Sequence, residues 1–164
     1  ALVGVVREGR GAEQEHAAGA LKEVAAEASS HGAIAQAGGV VALVELARAG
    51  GSGTDGARRE AAGALARLAT SEEQRVAIAQ LGGIPVLVAQ AKNGSDEAQG
   101  AAASALAALA RNRDNQHAIV AAGGVPVLLE LLREEQQQVI EEAAGALHQL
   151  TAENAENKVA IASA

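Results

Sequence analysis

The sequence predicts an all-α solenoid, a row of three-helix repeats sharing one continuous core, and two periodic signals predict it. Ala61-Ala62-Gly63-Ala64-Leu65 has near copies at Ala17 to Leu21, Ala102 to Leu106 and Ala143 to Leu147, at spacings of 44, 41 and 41 residues. Gly-Gly pairs at Gly38-Gly39, Gly82-Gly83 and Gly123-Gly124 recur with the same 44 and 41. Two signals of unlike composition on one period of this length mark a helical repeat array. Composition sets the kind of packing. With no Phe, Trp, Tyr or Met, the core must be Ala, Val, Ile and Leu, which suits helices in close contact through small residues.

Taken in order, residues 1–11 align with the segment from Ala42 at an offset of 41, Leu2 with Leu43, Val3 with Val44 and Arg7 with Arg48, so the chain opens inside a repeat. It begins at Ala1 without Met, as a segment cut from a longer protein would. Apolar Ala17, Leu21, Val24 and Ala28 at three- and four-residue spacing predict a helix over 12–28. Ser29-Ser30 offers an N-cap for a short helix reaching Ala37, and Gly38-Gly39 ends it with a corner. The next helix, 40–49, is expected to turn Val41, Leu43, Val44, Leu46 and Ala47 inward. Its counterparts carry Pro85 and Pro126 in the first turn, where a missing N–H is no loss. Gly50 to Gly56 reads as a flexible loop about three residues longer than Asn93-Gly94-Ser95, which accounts for the one long period. A third helix follows over 57–69. The grammar then repeats as 71–80, 84–92 and 96–111, with caps at Ser71 and Ser95, then as 112–122, 125–133 and 136–152. The segment 154–164 matches the short first helix, with Ile161 where Ile34, Ile78 and Ile119 stand. The expected organisation is one domain, 1–164: a partial repeat 1–28, repeats 29–70, 71–111 and 112–153, and a partial repeat 154–164.

Composition excludes several function classes. Without Cys there is no disulfide framework, thiolate metal site or cysteine nucleophile. No apolar run approaches the roughly 20 residues of a membrane span and no signal peptide is visible. The compartment itself is not legible, with the cytoplasm as the default expectation. Net charge is -7, and the acid sits late: residues 112–164 carry 3 basic and 8 acidic groups. That balance disfavours nucleic acid or an anionic membrane as partner and permits a basic peptide. His16, His31, His117 and His148 fall at unrelated slots, so neither a metal site nor any other cofactor is expected. The pairs Glu72-Glu73, Glu134-Glu135 and Glu141-Glu142 are sequential and point to different helix faces, so no acid–base couple and no enzyme activity are expected. A phosphate loop at Gly50 to Gly56 is rejected, since no Gly-Lys-Ser/Thr follows.

The combination Ile-x-x-x-Gly-Gly-Ile/Val-Pro-x-Leu followed by Ala-Ala-Gly-Ala-Leu-x-x-Leu-Ala resembles the armadillo repeat, over nearly the whole chain. HEAT and tetratricopeptide arrays lack the Gly-Gly corner. The resemblance implies a right-handed superhelix whose third helices line a concave groove, and a non-enzymatic scaffold binding an extended peptide or partner protein there. Best-understood armadillo grooves, those of nuclear import adaptors, use a Trp and an Asn on each third helix. Carried over, the Trp slot falls on Gly19, Gly63, Ser104 and Gly145, and the Asn slot on Glu23, Arg67, Ala108 and Gln149. Neither ladder is present, which counts against binding of nuclear-localisation signals. Glu60 and Glu142, three residues before the Trp slot, and Thr70 and Arg111, three after the Asn slot, share that face by helical spacing and complete the candidate binding row. Two alternatives stand beside this reading: a structural segment that associates end to end through its open repeats, and the regulatory or substrate-binding part of a larger enzyme such as a ubiquitin ligase.

Overall fold

The computed structural model describes residues 1–48, 53–152 and 154–163. Among them are twelve α-helices, one 3₁₀ turn and no strand. In order these are α1 (Leu2–Glu8), α2 (Ala12–Val24), the 3₁₀ turn Ala28–Ser30, α3 (His31–Gln36), α4 (Gly39–Ala47), α5 (Asp55–Leu68), α6 (Glu72–Gln80), α7 (Gly83–Asn93), α8 (Asp96–Leu109), α9 (Arg113–Ala121), α10 (Gly124–Leu131), α11 (Gln137–Thr151) and α12 (Ala155–Ser163). The long helices α2, α5, α8 and α11 stack in sequence, each packed on the next. The small residues of the Ala-Ala-Gly-Ala-Leu copies make this possible: Ala61, Ala62, Ala64, Ala102, Ala103, Ala105, Ala143 and Ala146 are all fully buried. Leu65, Leu68, Leu106, Leu109 and Leu150 fill the space between these helices and the outer layer, where Leu43, Leu87 and Leu128 of α4, α7 and α10 are equally buried.

The paired glycines have separate causes. Gly38, Gly82 and Gly123 take φ of +76°, +78° and +78°, the left-handed region that glycine enters without steric cost. Gly39, Gly83 and Gly124 are needed for space. A Cβ on them would lie 2.5, 2.6 and 2.6 Å from Cγ2 of Ile34, Ile78 and Ile119, so the isoleucine four residues ahead of each corner packs directly on bare backbone.

A second device joins repeats. Side chains on each short first helix bond the carbonyl groups at the end of the preceding third helix, most of which have no partner within that helix. Arg75 Nη1 bonds the Ala69 carbonyl at 2.9 Å, Asn115 Nδ2 that of Leu109 at 3.2 Å, Gln116 Nε2 that of Ala110 at 2.9 Å and Asn157 Nδ2 that of Leu150 at 2.8 Å. Buried His31 turns Nε2 to the Ala25 carbonyl at 2.9 Å in the same slot. Asn115 and Gln116 also reach across, to the carbonyls of Arg75 and Gln149 at 3.2 and 3.0 Å.

Several local expectations are corrected. The helix expected over 12–28 ends at Val24, because Ser30 Oγ donates to the Val24 and Glu27 carbonyls and folds the chain back. Ser30 therefore occupies the N-cap position of α3 without capping it. Val41 points outward, 41% exposed, while Val40 and Ala42 are buried; it holds the slot of Pro85 and Pro126, which are also exposed. The third helix of that repeat starts at Asp55, not Ala57, since Thr54 Oγ1 accepts from Ala57 N at 3.0 Å. The start of that loop, 50–52, and residue 49 at the end of the helix expected before it lie outside the described residues. Ser95 sits at the N-cap of α8 without bonding its own helix, and hydrogen-bonds Asp55 one repeat earlier instead. The caps at Ser71 and Asn112 form inside their own helices, accepting from Gln74 N and Asn115 N.

Candidate groove along the third helices

A cleft of about 480 Å³ opens where α5, α8 and α11 run side by side. Its floor is small because the sequence is small there: Gly63 and Ala66 on α5, Gly100, Ala101 and Ser104 on α8. Its walls are charged. Lys22, Arg59, Glu60 and Arg67 stand towards α2 and α5, and Asp96, Glu97 and Glu142 towards α8 and α11.

The two ends differ in how their charges are used. Towards α2 every groove charge is paired. Lys22 Nζ lies 2.5 Å from Glu60 Oε2, and Arg59 Nη2 lies 2.9 Å from Glu60 Oε1 and 3.8 Å from Glu15 Oε1. Arg67 reaches Glu23 at 3.6 Å. The Glu60 side chain is only 13% exposed. Burial works to raise its pKa, but the hydrogen bonds and charges of Lys22 and Arg59 outweigh it and hold the carboxyl below its usual value. Glycines make room for this network: a Cβ at Gly63 would meet Lys22 Cδ at 2.8 Å, and one at Gly56 would collide with the Glu15 carboxylate. Towards α11, Gln136 Nε2 donates to Asp96 Oδ2 at 2.8 Å. Among the described residues neither Glu97 nor Glu142 has an ion-pair partner.

Of the residues expected from sequence, Glu60, Gly63, Arg67, Ser104 and Glu142 line the main cleft together. Gly19 and Glu23 line an adjoining hollow of about 370 Å³ with Glu60, and Thr70 a small recess of about 210 Å³ beside Arg67. Ala108, Arg111, Gly145 and Gln149 line none of these; Gly145 is exposed, with nothing within 4 Å of where its Cβ would be. Lys22, Arg59, Asp96, Glu97, Gly100, Gln136 and Gln138 line the cleft without having been read from sequence. Helical spacing from the Trp slot would have found Glu97, Gly100 and Ala101, which sit seven, four and three residues before Ser104. Lys22 carried no such signal, because it belongs to the neighbouring helix.

Among the described residues no cluster of three His, Asp or Glu fits a metal ion, and no helix is long and apolar enough to cross a membrane.

Comparison with known proteins shows the kind of array this is. The Armadillo/beta-catenin-like repeat model matches residues 71–111 and 112–152, together half of the chain. No curated protein sequence gives a significant match. Among solved structures, one engineered protein superposes with a TM-score of 0.92 at 38% identity over 99% of this chain and 66% of its own. A second engineered protein gives 0.89 at 37% identity over 99% of this chain and 39% of its own. A designed armadillo repeat protein solved in complex with the peptide (KR)4 gives 0.90 at 24% identity, over 99% of this chain and 68% of its own. The chain thus spans about two thirds of the first engineered protein and much less of the second.

Proposed function

Since the chain belongs to the armadillo/beta-catenin-like repeat family, we propose that it is a non-enzymatic scaffold holding an extended peptide or partner segment along the groove of its third helices. The division into repeats 29–70, 71–111 and 112–153 with a partial repeat on either side is part of this proposal, as is the candidate row Gly19, Glu23, Glu60, Gly63, Arg67, Thr70, Ser104, Ala108, Arg111, Glu142, Gly145 and Gln149. One observation carries the reading: Glu97 and Glu142 face a cleft floored by Gly100, Ala101 and Ser104, and among the described residues neither has an ion-pair partner. A floor without long side chains lets a main chain lie close, and unpaired carboxylates over it select a segment with positive charge. The designed relative that holds (KR)4 supports the choice of probe. Fluorescence anisotropy of a dye-labelled (Lys-Arg)4 peptide tests it. Saturable binding that weakens with salt and with E97Q/E142Q is expected; binding indifferent to both substitutions would sink the proposal.

A second reading, end-to-end association, has one observation in its favour. Leu2 and Val5 of α1 are 37% and 40% exposed, whereas Leu43 and Leu46, their counterparts in α4, are 0% and 5% exposed. Charge weighs against a second copy as the cover. Carrying the array one step further sets Glu141 of one copy against Glu15 of the next, where the chain itself sets Glu15 against Arg59. The groove is therefore the preferred surface.

A further inference from the structure

Three seams run between successive third helices, α2 with α5, α5 with α8 and α8 with α11. The first holds a lysine in a defined way. Lys22 lays its stem across Gly63, close enough that a Cβ there would come 2.8 Å from Cδ and 3.7 Å from Cγ, and sets its ammonium 2.5 Å from the Glu60 carboxylate. Glutamate, a turn, then glycine on one helix makes a slot for a lysine of its neighbour.

The spacings of 44 and 41 locate the same slot further along. In the second seam Glu60, Gly63 and Lys22 become Ala101, Ser104 and Ala66, so the carboxylate is gone. In the third seam they become Glu142, Gly145 and Ala107. The glutamate and the glycine return, and the lysine does not. The half-buried Glu142 lines the cleft, the space over Gly145 is clear to 4 Å, and Arg59, which shares Glu60 in the first seam, is replaced by Glu141.

We propose that Glu142 and Gly145 form a pocket for one lysine side chain of a bound segment, its stem over Gly145 and its ammonium on Glu142, in the manner of the chain's own Lys22. This rests on the reading of the groove as a peptide site, and it adds where in the groove one residue of the peptide is fixed and what that residue is. A narrow methylene stem passes over a glycine, and its ammonium reaches one oxygen of the glutamate beyond, as Lys22 Nζ reaches Glu60 Oε2 in the first seam. Lys22 has a matching role: by occupying Gly63 and Glu60 it closes the first seam to an outside lysine, so the peptide register is set from the α11 end.

The test restores the missing lysine. A107K places a side chain where Lys22 stands, within reach of Glu142, and A107Q is its uncharged control. NMR titration of the Glu142 side-chain carboxyl and anisotropy of labelled (Lys-Arg)4 are recorded for wild type and both variants. In A107K the Glu142 carboxyl is expected to titrate at lower pH than in wild type, and peptide affinity to fall about tenfold, the factor equivalent to 1.4 kcal/mol. A107Q should change neither. Identical Glu142 titration in A107K and wild type overturns the pocket. A shifted Glu142 in A107K with no peptide binding by any protein would show that the slot can hold a lysine of the chain itself, and would overturn the groove reading and the guest lysine with it. K22A provides the converse: opening the first seam should raise peptide affinity several-fold, and no gain in a wild-type protein that does bind would overturn the lysine slot.

Discussion

Adding one methyl group at Gly145 should make the protein more stable and a worse binder at once. Gly145 lies inside α11 with nothing within 4 Å of where a Cβ would stand, so Gly145→Ala meets no clash. Replacing glycine by alanine inside a helix contributes about 0.5–1 kcal/mol, through the lower entropy of the unfolded chain. For a chain of this length that corresponds to a rise in melting temperature of roughly 1–4 °C. The same methyl stands where a guest lysine stem would pass, since at the matching Gly63 a Cβ would come 2.8 Å from Lys22 Cδ. A guest forced aside should lose about three- to tenfold in affinity, equivalent to about 0.6–1.4 kcal/mol. Gly83→Ala is the control of opposite sign. There the new methyl meets Ile78 Cγ2 at 2.6 Å and the Ile78 carbonyl oxygen at 2.8 Å, and backbone cannot yield as a side chain does. Overpacking of this kind costs about 1–3 kcal/mol, so the melting temperature should fall by roughly 2–12 °C. Circular dichroism melts at 222 nm and peptide anisotropy read the two effects. A Gly145→Ala protein that melts lower than wild type would refute the open space over α11. One that melts higher and binds peptide as well as wild type would refute the lysine slot.

Asn115→Ala removes two hydrogen bonds from a buried amide, one to the repeat before it and one to the helix end beneath it, and leaves the Arg75 and Leu109 carbonyls without it. A loss of about 2–3 kcal/mol is expected in urea titration; a loss below about 0.5 kcal/mol would mean that these inter-repeat bonds do not hold the stack. Acid should loosen the α2–α5 seam. The Glu60 carboxyl titrates below its ordinary 4.5 when folded, so the folded state binds fewer protons there. Its stabilising effect is complete above about pH 4.5 and is lost as pH falls through the folded value. Asp55, held down first by its hydrogen bond with Ser95, and Glu72, held down first by Asn112, act in the same direction, but both are exposed and weigh less. Urea midpoints measured from pH 7 to pH 3 should drop less steeply for Glu60→Gln than for wild type; parallel curves would remove Glu60 from the account.

What the sequence revealed and what it hid divide along a physical line. Features that one helix or one corner decides were legible. Gly38, Gly82 and Gly123 need a left-handed backbone, Gly39, Gly83 and Gly124 need room beside Ile34, Ile78 and Ile119, and both requirements are written in residues a few places apart. The alanine-rich third helices were legible for the same reason. Features that two repeats decide together were not. Ser95 looks like an N-cap of α8, yet its hydroxyl serves Asp55 of the repeat before. Val41 looks inward on a wholly apolar stretch, because α4 is apolar on nearly every face and only its neighbours choose the side that stays wet. The candidate row was read along each third helix singly, which found Glu60 and Gly63 but not the lysine lying on them. Lys22 became visible only when α2 was set against α5, and only then did Glu142 and Gly145 stand out as the same slot without its lysine.

The most direct measurement for the central claim is amide chemical-shift mapping of the ¹⁵N-labelled protein as (Lys-Arg)4 is added. The expected outcome is saturable movement of the amides of Gly100, Ser104, Glu142 and Gly145, with α1 and α12 unmoved. Shifts confined to α1 and α12, or none at peptide concentrations that saturate the anisotropy, would contradict a binding site in the groove of the third helices.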